Sequence, residues 1–225
     1  MYAPNAAEKK AIARINLKES GVSRVTWLVL LTGSTTQNGR RWRIVSSTAS
    51  DKIRVAGIVN DSITDGPGLR LTLFVQGCER NCPGCHNEAA LPMGGGKLYD
   101  PREIMDIIRK DPMLSGVTFS GGEPMLQAKA LLPLARMIKD AGLDLAVYTG
   151  YTFEELLEQN DAAVMELLSY ADTLIDGPFI LEKRTLSLNF RGSSNQRILN
   201  LKESLKHGMA VLEHNPDWTG EYGML

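Results

Sequence analysis

The sequence predicts an α/β protein, an open or partial (β/α) barrel built on a mainly parallel sheet. Three observations predict it. Short apolar, β-branched runs alternate with helical segments from residue 53 onward, those segments open on recognisable caps, and glycine-bearing turns follow one strand after another. Such alternation implies parallel strands joined by right-handed crossovers. About five to seven strands are legible, fewer than the eight of a closed barrel.

The elements follow in order. IRVAGIV (53–59) and LRLTLFVQ (69–76) read as strands separated by the turn-rich NDSITDGPG. All three cysteines come next, then a glycine run at 94–96, read as a flexible connector or lid hinge. DPREIMDIIRK opens a helix, with Asp100 at the N-cap, Pro101 in the first turn and Glu103 completing a capping box. GVTFS (116–120) is a strand. PMLQAKALLPLARMIKDAG is helical, expected to break at Pro133 and to close at Gly142. LDLAVYT (143–149) is the next strand, Thr152 and Glu155 cap FEELLEQ, and Asp161 starts AAVMELLSY. DTLID (172–176) is a strand, RGSSNQRILN is expected to be irregular, and a short apolar MAVLEH lies near the end.

Composition narrows the field. A 225-residue chain with 43% hydrophobic and 23% charged residues can bury a real core, and a net charge of −1 makes no electrostatic case for nucleic acid. That near-neutrality conceals a segregation. Residues 1–50 hold eight Lys/Arg against two Asp/Glu, net +6, which leaves −7 for residues 51–225. The sequence thus divides into an N-terminal extension, 1–50, expected to be poorly ordered and the product of an upstream start assignment, and a domain, 51–225. No run approaches the ~18–20 apolar residues of a membrane span, and VTWLVLL (25–31) is short and late for a secretory leader. Three cysteines within eight residues do not make a disulfide framework.

In parallel α/β sheets ligands sit at the carboxyl ends of strands. The cysteines, SGGEP (120–124), YTGY and DGPF all fall there, which favours one site built from several strand ends. The stretch GCERNCPGCHN admits four chemistries. Haem attachment would leave Cys78 without a role, and a dithiol redox pair would not need a third thiol. Zinc has a formal ligand set in Cys78, Cys82, Cys85 and His86, but adjacent Cys85 and His86 would have to reach one ion from consecutive backbone positions. The C-x₃-C-x₂-C spacing suits three corners of an iron–sulfur cubane, leaving one iron for a small molecule.

With these residues the chain resembles the radical S-adenosylmethionine (SAM) superfamily. DGPGLR (65–70) beside GCERNCPGCHN resembles the glycyl-radical-enzyme activases within it. VYTGYTFEEL, LIDGPFI and RGSSNQRI are most similar to the activating proteins of anaerobic ribonucleoside-triphosphate reductase. The resemblance covers about residues 52–200, and residues 1–50 have no part in it.

It implies a partial barrel of the radical SAM type and a 4Fe–4S cluster, one per chain, held by Cys78, Cys82 and Cys85, whose open iron binds SAM. It further implies an oxidoreductase in which reductive cleavage of SAM yields a 5′-deoxyadenosyl radical that takes hydrogen from a glycine of the partner reductase. No side chain acts as acid or base. Gly84, Cys85, His86, Gly121, Gly122 and Glu123 are expected against SAM, with Glu123 either bonding its ammonium or capping the next helix. Thr149 and Asp176 are expected to reach the sugar or a cation, or else to cap backbone. Asp65, Gly66, Arg191, Ser193 and Asn195, with Gln196, are expected at the mouth where the partner enters; simple turns explain them as well. The implied setting is the cytoplasm, with flavodoxin or ferredoxin as electron donor and neither nucleic acid nor membrane as partner. Two other readings stay open: an activase of another glycyl-radical enzyme such as pyruvate formate-lyase, and a non-catalytic zinc-binding module.

Overall fold

The computed structural model describes residues 52–220 together with two short strands, β1 (Ile12–Ala13) and β2 (Leu28–Val29). The chain divides into two units, Met1–Val45 and Ser46–Leu225. In the first, β1 and β2 pair antiparallel, Ile12 opposite Val29. The order expected of the rest of residues 1–50 lies outside the described residues, as do residues 221–225.

The second unit carries a seven-stranded sheet. Its elements are β3 (Ile53–Ser62), β4 (Arg70–Val75), β5 (Lys97–Tyr99), α1 (Pro101–Ile108), β6 (Gly116–Gly121), α2 (Ala128–Asp140), β7 (Asp144–Tyr148), α3 (Phe153–Gln159), α4 (Ala162–Tyr170), β8 (Thr173–Asp176), β9 (Arg197–Asn200), α5 (Leu201–His207) and α6 (Pro216–Thr219). Strand order is β5-β3-β4-β6-β7-β8-β9. The centre, β4-β6-β7-β8, is parallel throughout, while β3 lies antiparallel to β4, β5 to β3 and β9 to β8. β5 therefore runs with the central four, and the mainly parallel sheet is open at β5 and β9.

Side-chain alternation explains the layers. In β4, Leu71, Leu73 and Val75 face the helices; there they join Ile104, Met105 and Ile108 of α1, Leu131, Leu134 and Ile138 of α2, and Leu167 and Leu168 of α4. Each such buried side chain contributes roughly 1.5–3 kcal/mol. The alternate residues, Arg70, Thr72 and Phe74, point to the other face, where Ala146, Ile175 and Ile198 pack under Trp218, Tyr148 and Phe190. Arg70, 1% exposed, ties the base of this inner face together. It donates to Thr118 Oγ1 (2.8 Å), Val117 O (2.9 Å) and Asp144 Oδ1 (2.5 Å), and its guanidinium lies 5.5 Å from the Trp218 ring centroid.

Local signals place the helices. Asp100 accepts from Arg102 N–H and Glu103 reaches back to Asp100 N–H (2.8 Å), the expected capping box of α1. Thr152 and Glu155 do the same for α3, and Asp161 caps α4 through Ala163 and Val164 N–H.

Three local expectations are corrected. α2 runs unbroken through Pro133, because Pro133 and Lys129, whose carbonyl loses its helical partner, both lie on the exposed face, so no acceptor is left buried by the loss. The end of RGSSNQRILN is a strand, since β9 completes the edge left open by β8, with Leu174 opposite Leu199. The glycine run at 94–96 is no free connector. A Cβ on Gly96 (φ +68°) would stand 2.4 Å from Val55 O, and the run leads directly into β5.

Candidate active site

The carboxyl ends of the parallel strands open into a cavity of about 820 Å³. Its wall takes Cys78, Cys82 and Cys85 from the loop after β4, and Gly121, Gly122 and Glu123 from the end of β6. Thr149 follows from β7, Gly177 from β8 and Asp65 from the β3–β4 turn. The strand-end motifs thus meet in one place.

Backbone bonds hold the cysteine loop at both ends. Gly77 N–H donates to Ala90 O (2.7 Å) and Cys78 N–H to Leu91 O (3.0 Å). Between them, Cys85 N–H closes a turn onto Cys82 O (3.2 Å), with Pro83 at its second position and Gly84 (φ +67°) at its third. That pairing of proline with a left-handed glycine belongs to a type II turn, and it explains why C-P-G-C stands here. A Cβ on Gly84 would meet Leu181 at 3.0 Å, and Gly84 itself does not line the cavity.

All three thiols are free and half-buried. Burial pushes the Cys78 thiol up, while the backbone N–H groups of Arg80 and Asn81 pull it down. Asn87 N–H donates to Cys85 Sγ (3.4 Å). Partly desolvated sulfurs supplied with N–H donors suit thiolate ligands of an iron–sulfur centre, whose positive irons would hold them deprotonated. Among the described residues, no three His, Cys, Asp or Glu side chains converge as ligands of a single ion. His86 lines the cavity with its ring packed on Phe179, centroids 4.8 Å apart and planes tilted by 50°.

The Gly-Gly-Glu element is a clasp between strands. A Cβ on Gly121 (φ +103°) would fall 2.4 Å from Val75 N, and one on Gly122 would fall 2.2 Å from Gly77 O. Both glycines thus approach the backbone of β4 and the start of the cysteine loop closely, and both line the cavity. Gly122 N–H donates to Val75 O (2.7 Å) and Glu123 N–H to Gly77 O (2.8 Å). Glu123, 1% exposed, lines the cavity and also caps. Its Oε1 accepts from Met125 N–H (3.0 Å) and Thr149 Oγ1 (2.9 Å), and its Oε2 from Gly150 N–H (2.8 Å). A carboxylate has about four acceptor sites, so one remains for a ligand donor.

Desolvation raises the Glu123 carboxyl above its ordinary value, against the pull of these bonds and of Arg80. With the folded value above the unfolded one, protonation favours the fold. The contribution is whole below the unfolded carboxylate range and is lost as pH rises through the raised folded value. Glu123→Gln cannot titrate, and it sets an amide NH₂ against Gly150 N–H at a cost of about 1–3 kcal/mol. Denaturant melts should show the wild type ahead by that margin at low pH and the gap narrowing as pH rises; a widening gap contradicts the assignment.

The remaining expected residues divide. Asp65 and Arg191 line the cavity, Asp65 accepting from Ser62 Oγ (2.5 Å) and Thr72 Oγ1 (3.0 Å). Gly66 (φ +139°) faces away, since its Cβ would strike Arg70 and Trp218. Asp176 is fully buried below the cavity wall, where it accepts from Phe153 N–H (2.8 Å) at the start of α3 and pairs with Arg197 (2.5 Å). Ser193 is fully buried and accepts from Ile180 N–H, while Asn195 Nδ2 donates to Pro178 O (2.7 Å). These two brace the 177–196 segment from behind. Gln196 reaches the wall, accepting from Gly192 N–H (2.8 Å).

Sequence reasoning passed over Arg80, Phe179 and Tyr148, all on the wall. Tyr148 donates to Phe190 O (2.8 Å) and so holds the outer segment over the cavity. Only Arg80 carried a signal, as a cation between cysteines.

Fold and site together define an α/β protein with a ligand cavity at parallel strand ends, walled on one side by a three-thiol loop. The family model described as a 4Fe-4S single cluster domain matches residues 64–199. The anaerobic ribonucleoside-triphosphate reductase-activating protein of Haemophilus influenzae is 40% identical over 148 residues, covering 62% of this chain and 93% of that one. Its Escherichia coli K12 counterpart is 35% identical, covering 62% and 94%. The pyruvate formate-lyase-activating enzyme of Clostridium pasteurianum is 35% identical over 123 residues, 51% of this chain and 52% of that one. Among solved structures, QueE from Escherichia coli overlaps 45% of this chain and 54% of its own at a TM-score of 0.37 and 17% identity, a likeness too slight for argument. The chain belongs to the 4Fe-4S single cluster domain family and, within it, to the anaerobic ribonucleoside-triphosphate reductase-activating proteins.

Proposed function

We propose that this chain is a radical SAM activase that installs a glycyl radical on an anaerobic ribonucleoside-triphosphate reductase, and that residues 51–225 carry the activity. The observation that bears most weight is the set of three free, half-buried thiols on the wall of a strand-end cavity, facing the Gly-Gly-Glu clasp. The relatives' printed names supply the reductase as target.

Cys78, Cys82 and Cys85 would hold a 4Fe–4S cluster with one iron left for SAM. When bound, the reduced cluster would supply the one electron that breaks a sulfonium C–S bond of SAM, with methionine as leaving group, and so the hydrogen-abstracting chemistry required at the partner's glycine. The residues of this chain orient and exclude water. Glu123 keeps one acceptor site for the ammonium of SAM, Thr149 and Gly150 continue the same ledge, and His86 on Phe179 closes a side. The mouth, with Asp65 and Arg191, admits the partner's loop. Three free thiols suit the reducing cytoplasm, where flavodoxin or ferredoxin would deliver the electron. No helix among the described residues is long and apolar enough to cross a membrane.

Anaerobic reconstitution should give a coloured protein with about four irons and four sulfides per chain. Reduction with SAM present should then release 5′-deoxyadenosine, and a glycyl radical signal should appear on added reductase. A colourless preparation filled by zinc overturns the proposal. A radical formed on pyruvate formate-lyase and not on the reductase would favour the target named for the Clostridium pasteurianum relative.

A further inference from the structure

Arg80 sits inside the cysteine loop, two residues after Cys78 and two before Cys82, yet its side chain leaves the loop. The guanidinium crosses to the end of β7, where it donates to Gly150 O and to Glu155 Oε2 (3.2 Å), and it lies 4.4 Å from the Tyr151 ring centroid. Both hydrogen-bond acceptors are ordered by something else. Gly150 N–H is held by Glu123, and Glu155 is the residue that closes the α3 capping box through Thr152 N–H (2.7 Å). A Cβ on Gly150 would stand 3.1 Å from Arg80 Cγ, a tight contact with the arginine stem.

The loop's other anchors run from Gly77 and Cys78 N–H to residues 90–91 and from Asn87 Nδ2 to Gly121 O (3.4 Å) at the end of β6. Arg80 ties it to the end of β7. We infer that Arg80 is a positioning residue that locks the cysteine loop in register with the Glu123–Gly150 ledge. It thereby sets the distance between whatever the thiols hold and the part of SAM that the ledge receives. The role rests on the activase reading for its ligand, but the tie belongs to the protein alone. One terminal nitrogen, Nη2, serves both acceptors while the planar guanidinium lies over the Tyr151 ring. A lysine ammonium could meet the acceptors but has no flat face to lay on the ring, so charge without shape does not replace it.

Two measurements on Arg80→Ala and Arg80→Lys test this. In the unloaded proteins, amide hydrogen exchange across residues 79–87 should be about tenfold faster in both variants than in the wild type, the loss of a charge-assisted bond and a ring contact. In the reconstituted, reduced proteins, iron content should stay at the wild-type level. The SAM concentration that half-changes the cluster's EPR spectrum should rise about tenfold in both. Tyr151→Leu, which removes the ring and keeps an apolar side chain, should loosen the loop in the same direction and carries the test if Arg80→Ala does not fold. Exchange in Arg80→Ala equal to wild type, or Arg80→Lys restoring the SAM response, overturns the inference. A wild type whose spectrum ignores SAM would refute the activase reading, and the exchange arm would still decide the role of Arg80.

Discussion

Replacing Cys78, Cys82 or Cys85 by serine, one at a time, is expected to abolish SAM cleavage while leaving the fold intact. The expectation follows from how little the thiols do for the unloaded protein. All three are free and half-exposed, and the N–H groups that meet sulfur, Asn87 at Cys85 Sγ and Arg80 and Asn81 at Cys78, are ones a serine oxygen can accept. The loop's own closure uses backbone, Gly77 to Ala90 and Cys78 to Leu91. A serine hydroxyl is almost the same size but ionises far less readily than a thiol and is a poor ligand for iron in a sulfide cluster. Losing one of three anchors should therefore empty the site. Thermal melts of the unloaded variants should match the wild type within about 2 °C, a surface-scale change. Iron and sulfide after reconstitution should fall several-fold, and 5′-deoxyadenosine should drop below detection. A serine variant that keeps both its iron and its turnover removes that thiol from the ligand set.

The second large effect is on stability. Gly122→Ala would place a methyl 2.2 Å from Gly77 O and 3.0 Å from Ala90 O, both backbone atoms. No rotamer relieves such a contact, and the strand must shift. The shift would strain the Gly122–Val75 and Glu123–Gly77 bonds, and with them the peptide that starts the cysteine loop. Overpacking against a fixed backbone with loss of two hydrogen bonds should cost about 3 kcal/mol or more. For a domain of this size that lowers Tm by roughly 6–12 °C. Gly94→Ala is the control, since nothing lies within 4 Å of its Cβ position and its φ is unstrained. That variant should stay within about 0.5 kcal/mol of the wild type. Equal melting of the two variants would show that the clasp yields, contrary to the geometry.

Much of the site was legible because its signals are local. The C-x₃-C-x₂-C spacing, the proline–glycine turn between Cys82 and Cys85 and the capping boxes at Asp100 and Thr152 act over three to seven residues. So does the alternation of β4. The glycines at 121 and 122 mark a close approach of backbone, to Val75 and Gly77, and both also line the cavity. Asp176 ended a strand beside the motifs. Its carboxylate is nonetheless taken up by Phe153 N–H and by Arg197, which also forks onto Glu154.

By itself the sequence determined the order of helices and central strands, where the helices begin, and a cysteine loop able to present three thiols. Covalent spacing and nearest-turn hydrogen bonding settle these before the chain folds up. Only the tertiary structure decided that α2 passes through Pro133, that β5 and β9 close the sheet's edges in opposite senses, and that Asp176 turns toward α3. It likewise sent Arg80 across seventy residues of chain to Gly150. The physical reason is that a side chain's direction and an edge strand's partner depend on which surfaces packing brings within a few ångströms, and no local pattern encodes that meeting.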